Sequence, residues 1–246
     1  MNPGLTLPPM SQDATPKRIW FYQTGAPAAG GRHVRWHERL YTLWWDEQQQ
    51  LCRYEITEGE VEPAMPDSID MDADAVLVPA LFREVSALPW TGSRIIETGA
   101  SGYLMQTDAG EHALPPALLL ADTALERAAQ SAWPAYALCC RIDGRVILVM
   151  VRQQRIEFLQ RQEADNEHAL MYWVVAAIRD RGLETSDTVC EILLNDLAEW
   201  ESLSSFGPYF RYFGLFPLDG IRRLAGEDYP PDPLVLFLLA RSIACA

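Results

Sequence analysis

The chain has 246 residues, 49% of them hydrophobic and 22% charged, with a formal net charge of −14. That make-up excludes a disordered or fibrous chain and fits a globular protein, one large domain or two small ones, with a real core. It also excludes nucleic acid as the default partner, because a polyanion is repelled unless the 20 Lys and Arg gather on one face.

Residues 1–16 are rich in Pro and polar groups and read as a flexible lead-in, with neither the basic start nor the apolar core of a signal peptide. Arg18–Thr24 reads as a strand and Gly25–Gly31 as a loop. His33–Leu43 reads as one strand or two. Trp44–Ile56 reads as a hairpin about the polar stretch Asp46–Gln50. The acidic, Pro-containing segment Glu58–Asp74 reads as an exposed connection with room for a short helix at Asp67–Asp72. Ala75–Pro79 is a buried-strand pattern, followed by a turn of helix at Ala80–Val85. Arg94–Thr98 and Gly102–Thr107 are a further strand pair. Ala117–Ser131 has a helical stripe at Leu118, Ala121, Leu125, Ala128 and Ala129, with Pro134 beyond its end, and is expected to bridge two halves.

The best-patterned stretch is Tyr136–Pro217. Tyr136–Arg141 and Val146–Val151 are apolar runs broken at Asp143-Gly144, a tight-turn signal. After a turn at Gln153-Gln154, Ile156 and Phe158 alternate with Glu157 as in a strand with one wet face. Asp165 or Asn166 can cap the next helix. Leu170, Trp173, Val174, Ala177 and Ile178 form its apolar face, and Gly182 supplies its left-handed stop. Val189–Asn195 is short and apolar, a buried strand parallel to an earlier one because a helix intervenes. A short helix at Leu197–Ser204 and a strand at Arg211–Pro217 complete the run. A weak helix at Asp219–Ala225, a Pro-rich break and a closing helix at Pro233–Cys245 follow. A meander followed by alternating helices and strands predicts a mixed sheet with helices on its faces.

Most familiar chemistry has no foothold. The longest apolar run, Leu234–Ala240, is far short of the ~20 residues that a membrane span needs, so no membrane insertion is expected. Cys52, Cys139, Cys140, Cys190 and Cys245 lack motif spacing, and adjacent Cys139 and Cys140 on a strand face opposite ways. Free buried thiols in a reducing cytoplasm account for them. On a strand, His33 and His37 lie about 13 Å apart, too far to share a metal ion. Neither the glycine-rich dinucleotide pattern nor the Walker pattern occurs. The aromatic residues point further. Adjacent Trp44 and Trp45 face opposite sides of a strand, and Phe206–Phe216 holds more aromatics than one strand face can bury. Trp44, Trp45, Tyr209 and Tyr212 are therefore candidate partner-binding residues.

Ala75–Phe82, Arg145–Asp165 leading into Met171-Tyr172-Trp173, Cys190–Asn195 and Pro233–Cys245 resemble, in order and spacing, a bacterial family known as domain of unknown function family 3822. That family is a divergent relative of actin-like proteins, including the pilus-assembly protein PilM. The resemblance implies an α/β fold of mixed sheets: two ribonuclease-H-like lobes, residues 17–134 and 135–246, in an actin-like ATPase arrangement with a cleft between them. Actin-like ATPases grip phosphates with two Gly-containing hairpins, each with an acid on its first strand and Thr or Ser at its turn. Here the second hairpin would be Cys140–Arg152, with Asp143 and Gly144 at the turn and no Thr or Ser. The first would lie near Ile19–Gly31, on a strand without a carboxylate. The adenosine position would be Asn195-Asp196 in place of a Gly pair. These losses imply a degenerate nucleotide site and no cofactor. The expectation is a cytoplasmic, non-catalytic scaffold binding a protein partner or a second copy, with peripheral membrane association through that partner. The alternative is a nucleotide-binding protein with Asp143, Gly144, Asn195 and Asp196 beside the ligand.

Overall fold

A computed structural model of the chain describes residues 16–21, 32–36, 39–45, 51–58, 69–71, 73, 75–78, 94–98, 103–107, 114–130, 133–142, 144–194, 198–218, 234, 237, 238 and 241. The first eight strands are β1 (Pro16–Phe21), β2 (Arg32–Trp36), β3 (Arg39–Trp45), β4 (Leu51–Glu58), β5 (Ile69–Asp70), β6 (Ala75–Val78), β7 (Arg94–Thr98) and β8 (Tyr103–Thr107). They form one sheet of order β1-β4-β3-β2-β5 and one of order β6-β8-β7. Helix α1 (Pro116–Gln130) follows. Then come β9 (Ala135–Ile142), β10 (Arg145–Arg152), β11 (Arg155–Glu163), α2 (Glu167–Asp180), β12 (Thr188–Leu194), α3 (Glu199–Ser204) and β13 (Tyr212–Leu215). Their sheet has the order β11-β10-β9-β12-β13, with β9 to β11 an antiparallel meander and β12 parallel to both its neighbours. This is the mixed sheet that the element order predicts.

Both faces of that sheet are covered, which is why β10 and β12 read as continuous apolar runs. Strand alternation sorts their side chains. Tyr136, Leu138, Cys140, Ile147, Val149, Val151, Val189 and Leu193 face α1. They share a core with Leu120 and Ala124 of that helix and with Tyr41, Ile69, Met71 and Ala75 from earlier in the chain. Ala137, Cys139, Val146, Leu148, Met150, Cys190, Ile192 and Leu194 form a second core with Leu170, Val174 and Ile178 of α2. Cys139 and Cys140 therefore do lie on opposite faces.

Local signals set the ends of α2. Asn166, in extended backbone, accepts a hydrogen bond from the Ala169 amide at 2.9 Å, so it is the cap and Asp165 is not. At the other end Gly182 has φ +65°, its amide donates to the Arg179 carbonyl, and the Leu183 amide donates to that of Ile178. This paired closure satisfies carbonyls that the helix leaves open, and only glycine adopts that backbone without strain.

Five expectations are corrected. Asp67–Asp72 contains no helix at Ile69–Asp70: those residues are β5, parallel to β2, and Ile69 is fully buried. A single well-placed isoleucine outweighs the acidic residues around it. Among the described residues β1 pairs with β4 and not with β2, which pairs with β3, so β1 and β2 are not the two arms of the expected phosphate hairpin; residues 22–31 lie outside the described residues. The α1 stripe is rotated: Leu119, Leu120, Ala121 and Ala124 are the buried centre, Leu118 and Leu125 are half-buried, and Ala129 is exposed. The run A-L-L-L-A is apolar nearly all round and admits several phases. Ile156 and Phe158 do not share a face. The register shift against β10 makes Glu157 the extra residue of a bulge, which sends Ile156 to the α1 core and Phe158 to Trp173 of α2. On α2 itself, Leu170, Val174, Ala177 and Ile178 are buried as expected, but Met171 is the fifth buried residue and Trp173 is half-buried against the same core. Ala80–Val85, Asp219–Ala225 and the Pro-rich break lie outside the described residues. Residues 234, 237, 238 and 241 are helical, as the closing helix requires.

The β10–β11 turn is built from two non-glycine residues at positive φ, Gln153 at 49° and Gln154 at 62°. A two-residue hairpin wants this mirror-image turn, and each L side chain in it costs about 1–2 kcal/mol. Replacing the pair with Asn-Gly (Gln153→Asn with Gln154→Gly) is expected to stabilise the fold by about 1 kcal/mol, read as a higher urea midpoint at unchanged slope.

Candidate functional site

In open α/β sheets ligands bind beyond the carboxyl ends of parallel strands. Here β9 and β12 end together, Arg141 beside Leu194, and the β9–β10 turn and the start of α2 meet at that end. Gly144 has φ +73°, and its carbonyl accepts the Ala164 amide at 2.8 Å, tying the turn to the end of β11. A Cβ at this position would meet nothing within 4 Å, so the backbone angle alone asks for glycine. Asp143, Asn195 and Asp196 lie outside the described residues. The topology does bring the turn that holds Gly144 and the end of β12 to one edge of the sheet.

Arg141 occupies this end, and the sequence reading passed over it. Its side chain is 11% exposed, on the α2 face. It donates to Glu199 of α3 at 2.9 Å and lies 3.5 Å from Glu167 of α2. Its buried Nε has no hydrogen-bond partner among the described residues. The Glu167 carboxyl is held below the usual carboxylate range by its own backbone amide and by the nearby guanidinium. The cation that could have met a phosphate is thus already neutralised by two carboxylates. The only trace in the sequence is one arginine in the apolar run A-Y-A-L-C-C-R-I.

A second polar cluster lies inside the α1 face. Glu191, on β12, is 3% exposed. Arg127 of α1 grips it with two donors, Nε to Oε2 at 3.0 Å and Nη2 to Oε1, and the Tyr136 hydroxyl donates to Oε2 at 2.6 Å. The guanidinium also lies 5.6 Å from the centre of the Phe216 ring. Burial, with the Glu191 charge adding to it, pushes the Tyr136 phenol well above its ordinary value. The hydrogen bond to Glu191 raises Arg127 further. Three donors fill most of the roughly four acceptor positions of this buried carboxylate, and the group serves as a structural clamp. The thiols are equally inert. Burial pushes Cys139 up to about 12, and Cys140 and Cys190 also lie well above their ordinary value.

The third feature is the aromatic edge at β13. Tyr209 is 65% exposed, Tyr212 48% and Trp133 41%, and Arg211 stacks over Trp133 at 4.8 Å. On the α2 side of β13, opposite Tyr212, Phe213 stacks with Trp200 of α3 at 5.5 Å and with Phe210 at 5.2 Å. Phe210 and Phe216 are buried, so this segment splits into a core half and a surface half. Tyr209 and Tyr212, singled out from sequence, are both exposed, Tyr209 tilted against Phe206 and Tyr212 folded over Gly214. Trp44 is half-buried on β3, and the Trp45 side chain lies outside the described residues.

No family model and no curated protein matches the chain. Among solved structures it is similar to a Bacteroides thetaiotaomicron protein with actin-like ATPase fold and unknown function, at a TM-score of 0.60 and 6% identity, covering 80% of this chain and 95% of that one. The chain thus shares the actin-like fold, which bears out the coarse part of the family resemblance. Among the described residues no helix is long and apolar enough to cross a membrane.

The clamp predicts an asymmetry. Arg127→Met strands a buried carboxylate and is expected to cost about 3–5 kcal/mol. Glu191→Gln costs only about 1–2 kcal/mol, because the Arg127 side chain, 33% exposed, can turn to water. Paired urea titrations measure both. A pH dependence follows as well. The folded phenol of Tyr136 stays protonated while the unfolded one ionises near pH ~10, so its contribution is intact below that pH and is lost as pH rises beyond it. Tyr136→Phe should lessen the fall in stability above pH ~10 by up to about 1.4 kcal/mol per pH unit.

Proposed function

We propose that this chain is a non-catalytic actin-like scaffold: two ribonuclease-H-like lobes, residues 17–134 and 135–246, whose nucleotide site has decayed and whose work is to hold a protein partner. Assignment to domain of unknown function family 3822 is part of this proposal, as are a cytoplasmic setting and a partner belonging to a membrane-associated assembly. The observation that carries it is the exposure of Tyr209, Tyr212 and Trp133 about the start of β13, where Arg211 lies between the two tyrosines in sequence and stacks over Trp133. Tyrosine and tryptophan are the side chains that most often supply the energy of a protein interface, and exposed rings on both faces of one edge strand offer anchors to a partner that runs along it. The sheet end supports the same reading. A triphosphate arriving there meets an arginine already held by Glu167 and Glu199.

The tight turn at Gly144 beside the end of β12 favours one other reading, a diverged nucleotide site using Asp143, Gly144, Asn195 and Asp196. A melting experiment with excess ATP and Mg²⁺ separates the two. The scaffold reading expects no change in melting temperature. A ligand at ~100 times its Kd would add about 2.7 kcal/mol, and a rise of several degrees would overturn that reading. In a native-lysate pull-down, Tyr209→Ala with Tyr212→Ala is expected to lose the captured partner while the melting temperature holds, because both side chains are exposed.

A further inference from the structure

Strand β13 ends its sheet, and among the described residues nothing pairs with its far side. The Phe216 amide donates to the Ile192 carbonyl at 2.8 Å. Since backbone groups alternate sides along a strand, Tyr212 and Gly214 also turn toward β12. The N–H and C=O of Phe213 and Leu215 then point outward. Edge strands are ordinarily blunted by Lys, Pro, a bulge or an inward charge. The sequence Y-F-G-L carries none of these and pairs regularly with β12; the strand is short and Pro217 takes the next outward position, so the open pairing groups are those of Phe213 and Leu215.

The flanks of this edge have a sign. The Arg211 amide is fastened to the Thr185 carbonyl at 3.1 Å, which brings the turn Thr185–Asp187 and exposed Glu184 and Asp187 to the start of β13. On the other flank, Trp200 stacks on Phe213, and exposed Glu201 follows it on α3. Arg211 is the countercharge, and it already lies on the Trp133 ring. That contact shows how a cation sits on this surface: over an aromatic face, which attracts it by about 0.5–1 kcal/mol when exposed. Tyr209 and Tyr212, though one rests against Phe206 and the other over Gly214, still expose about half or more of their surface, and the chain as a whole carries −14.

Building on the scaffold reading, we infer that β13 is a strand-addition site for an extended, basic segment of a protein partner. The segment's backbone pairs with Phe213 and Leu215, and its Lys or Arg side chains lie over Tyr209 and Tyr212 and beside Glu184, Asp187 and Glu201. Backbone pairing supplies affinity, and the aromatic and acidic flanks select basic sequences.

The test uses the full chain and three fluorescein-labelled synthetic peptides read by anisotropy: alternating Val-Lys, alternating Val-Glu, and Val-Lys with alternate backbone amides N-methylated along one edge. The Val-Lys peptide is expected to bind, and to bind less well as salt rises. N-methylation of the pairing edge should weaken it by about tenfold or more, since each lost backbone bond counts. On the protein, Leu215→Pro removes an outward N–H without touching the β12 ladder and should produce the same loss. The N-methylated peptide keeps the test valid should that variant fold poorly. Equal binding of Val-Glu overturns the basic chemistry. Undiminished binding of the N-methylated peptide overturns strand addition. Self-association in sedimentation that Leu215→Pro abolishes makes a second copy the occupant instead. Absence of peptide binding together with absence of ATP stabilisation rejects this inference and leaves the scaffold standing, whereas stabilisation by ATP removes the scaffold reading itself.

Discussion

A carboxylate in the middle of a buried parallel strand has to be answered from every side, and in this protein the answer to Glu191 organises the larger sheet. Arg127 reaches it from α1, Tyr136 from the neighbouring strand β9, and Phe216 closes over the guanidinium. The net energy of such a cluster is small compared with an apolar core of the same volume, but the cost of any arrangement that leaves the charge unpaired is several kcal/mol. The clamp therefore acts chiefly by excluding alternatives. It fixes α1 over β9 and β12. It also sets the register, because a slip of one residue would turn Glu191 toward the α2 core among Cys139, Leu148 and Ile192.

The opposite face repeats the device at lower stakes. Arg141 leaves the α2 core at the very end of β9 and is met by one carboxylate from α2 and one from α3. Here the charges are partly wet, and their value is positional: they join the starts of two helices to the end of a strand. This is the place where an open α/β sheet ordinarily receives a ligand. The arginine there is engaged by Glu167 and Glu199 with its Nε left over among the described residues, while Trp133, Tyr209 and Tyr212 are exposed about β13.

The sequence was most legible where order is local. The β9–β11 meander, the Gly182 stop and the strand pair Arg94–Thr98 and Tyr103–Thr107 each follow from a few adjacent residues. What escaped was non-local or locally outvoted. Arg141 and Glu199 are 58 residues apart, and Arg127 and Glu191 are 64 apart, so no window of sequence contains both partners. The two residues of β5 hide in an acidic stretch, and only pairing with β2 makes them a strand. The Gln153-Gln154 turn lacks the glycine that would have announced its geometry, and the bulge at Glu157 leaves an alternation that looks regular on paper. Tyr209 and Tyr212 were found from sequence because an excess of aromatics is a matter of counting, whereas the partnership of Trp133 with Arg211 was not.

Gly214 and Tyr212 share one more property. The Tyr212 ring folds back along β13 so closely that a Cβ built at 214 would stand 2.6 Å from the phenol oxygen and 2.9 Å from the ring. No unusual backbone angle is involved; a side chain there would have to push the half-exposed tyrosine ring aside. The dependence runs one way. A chain that puts a side chain at 214 must swing the aromatic ring away or give it up, whereas Gly214 accepts any residue at 212, so in a set of relatives a change at 214 should come with a change at 212 and not the reverse.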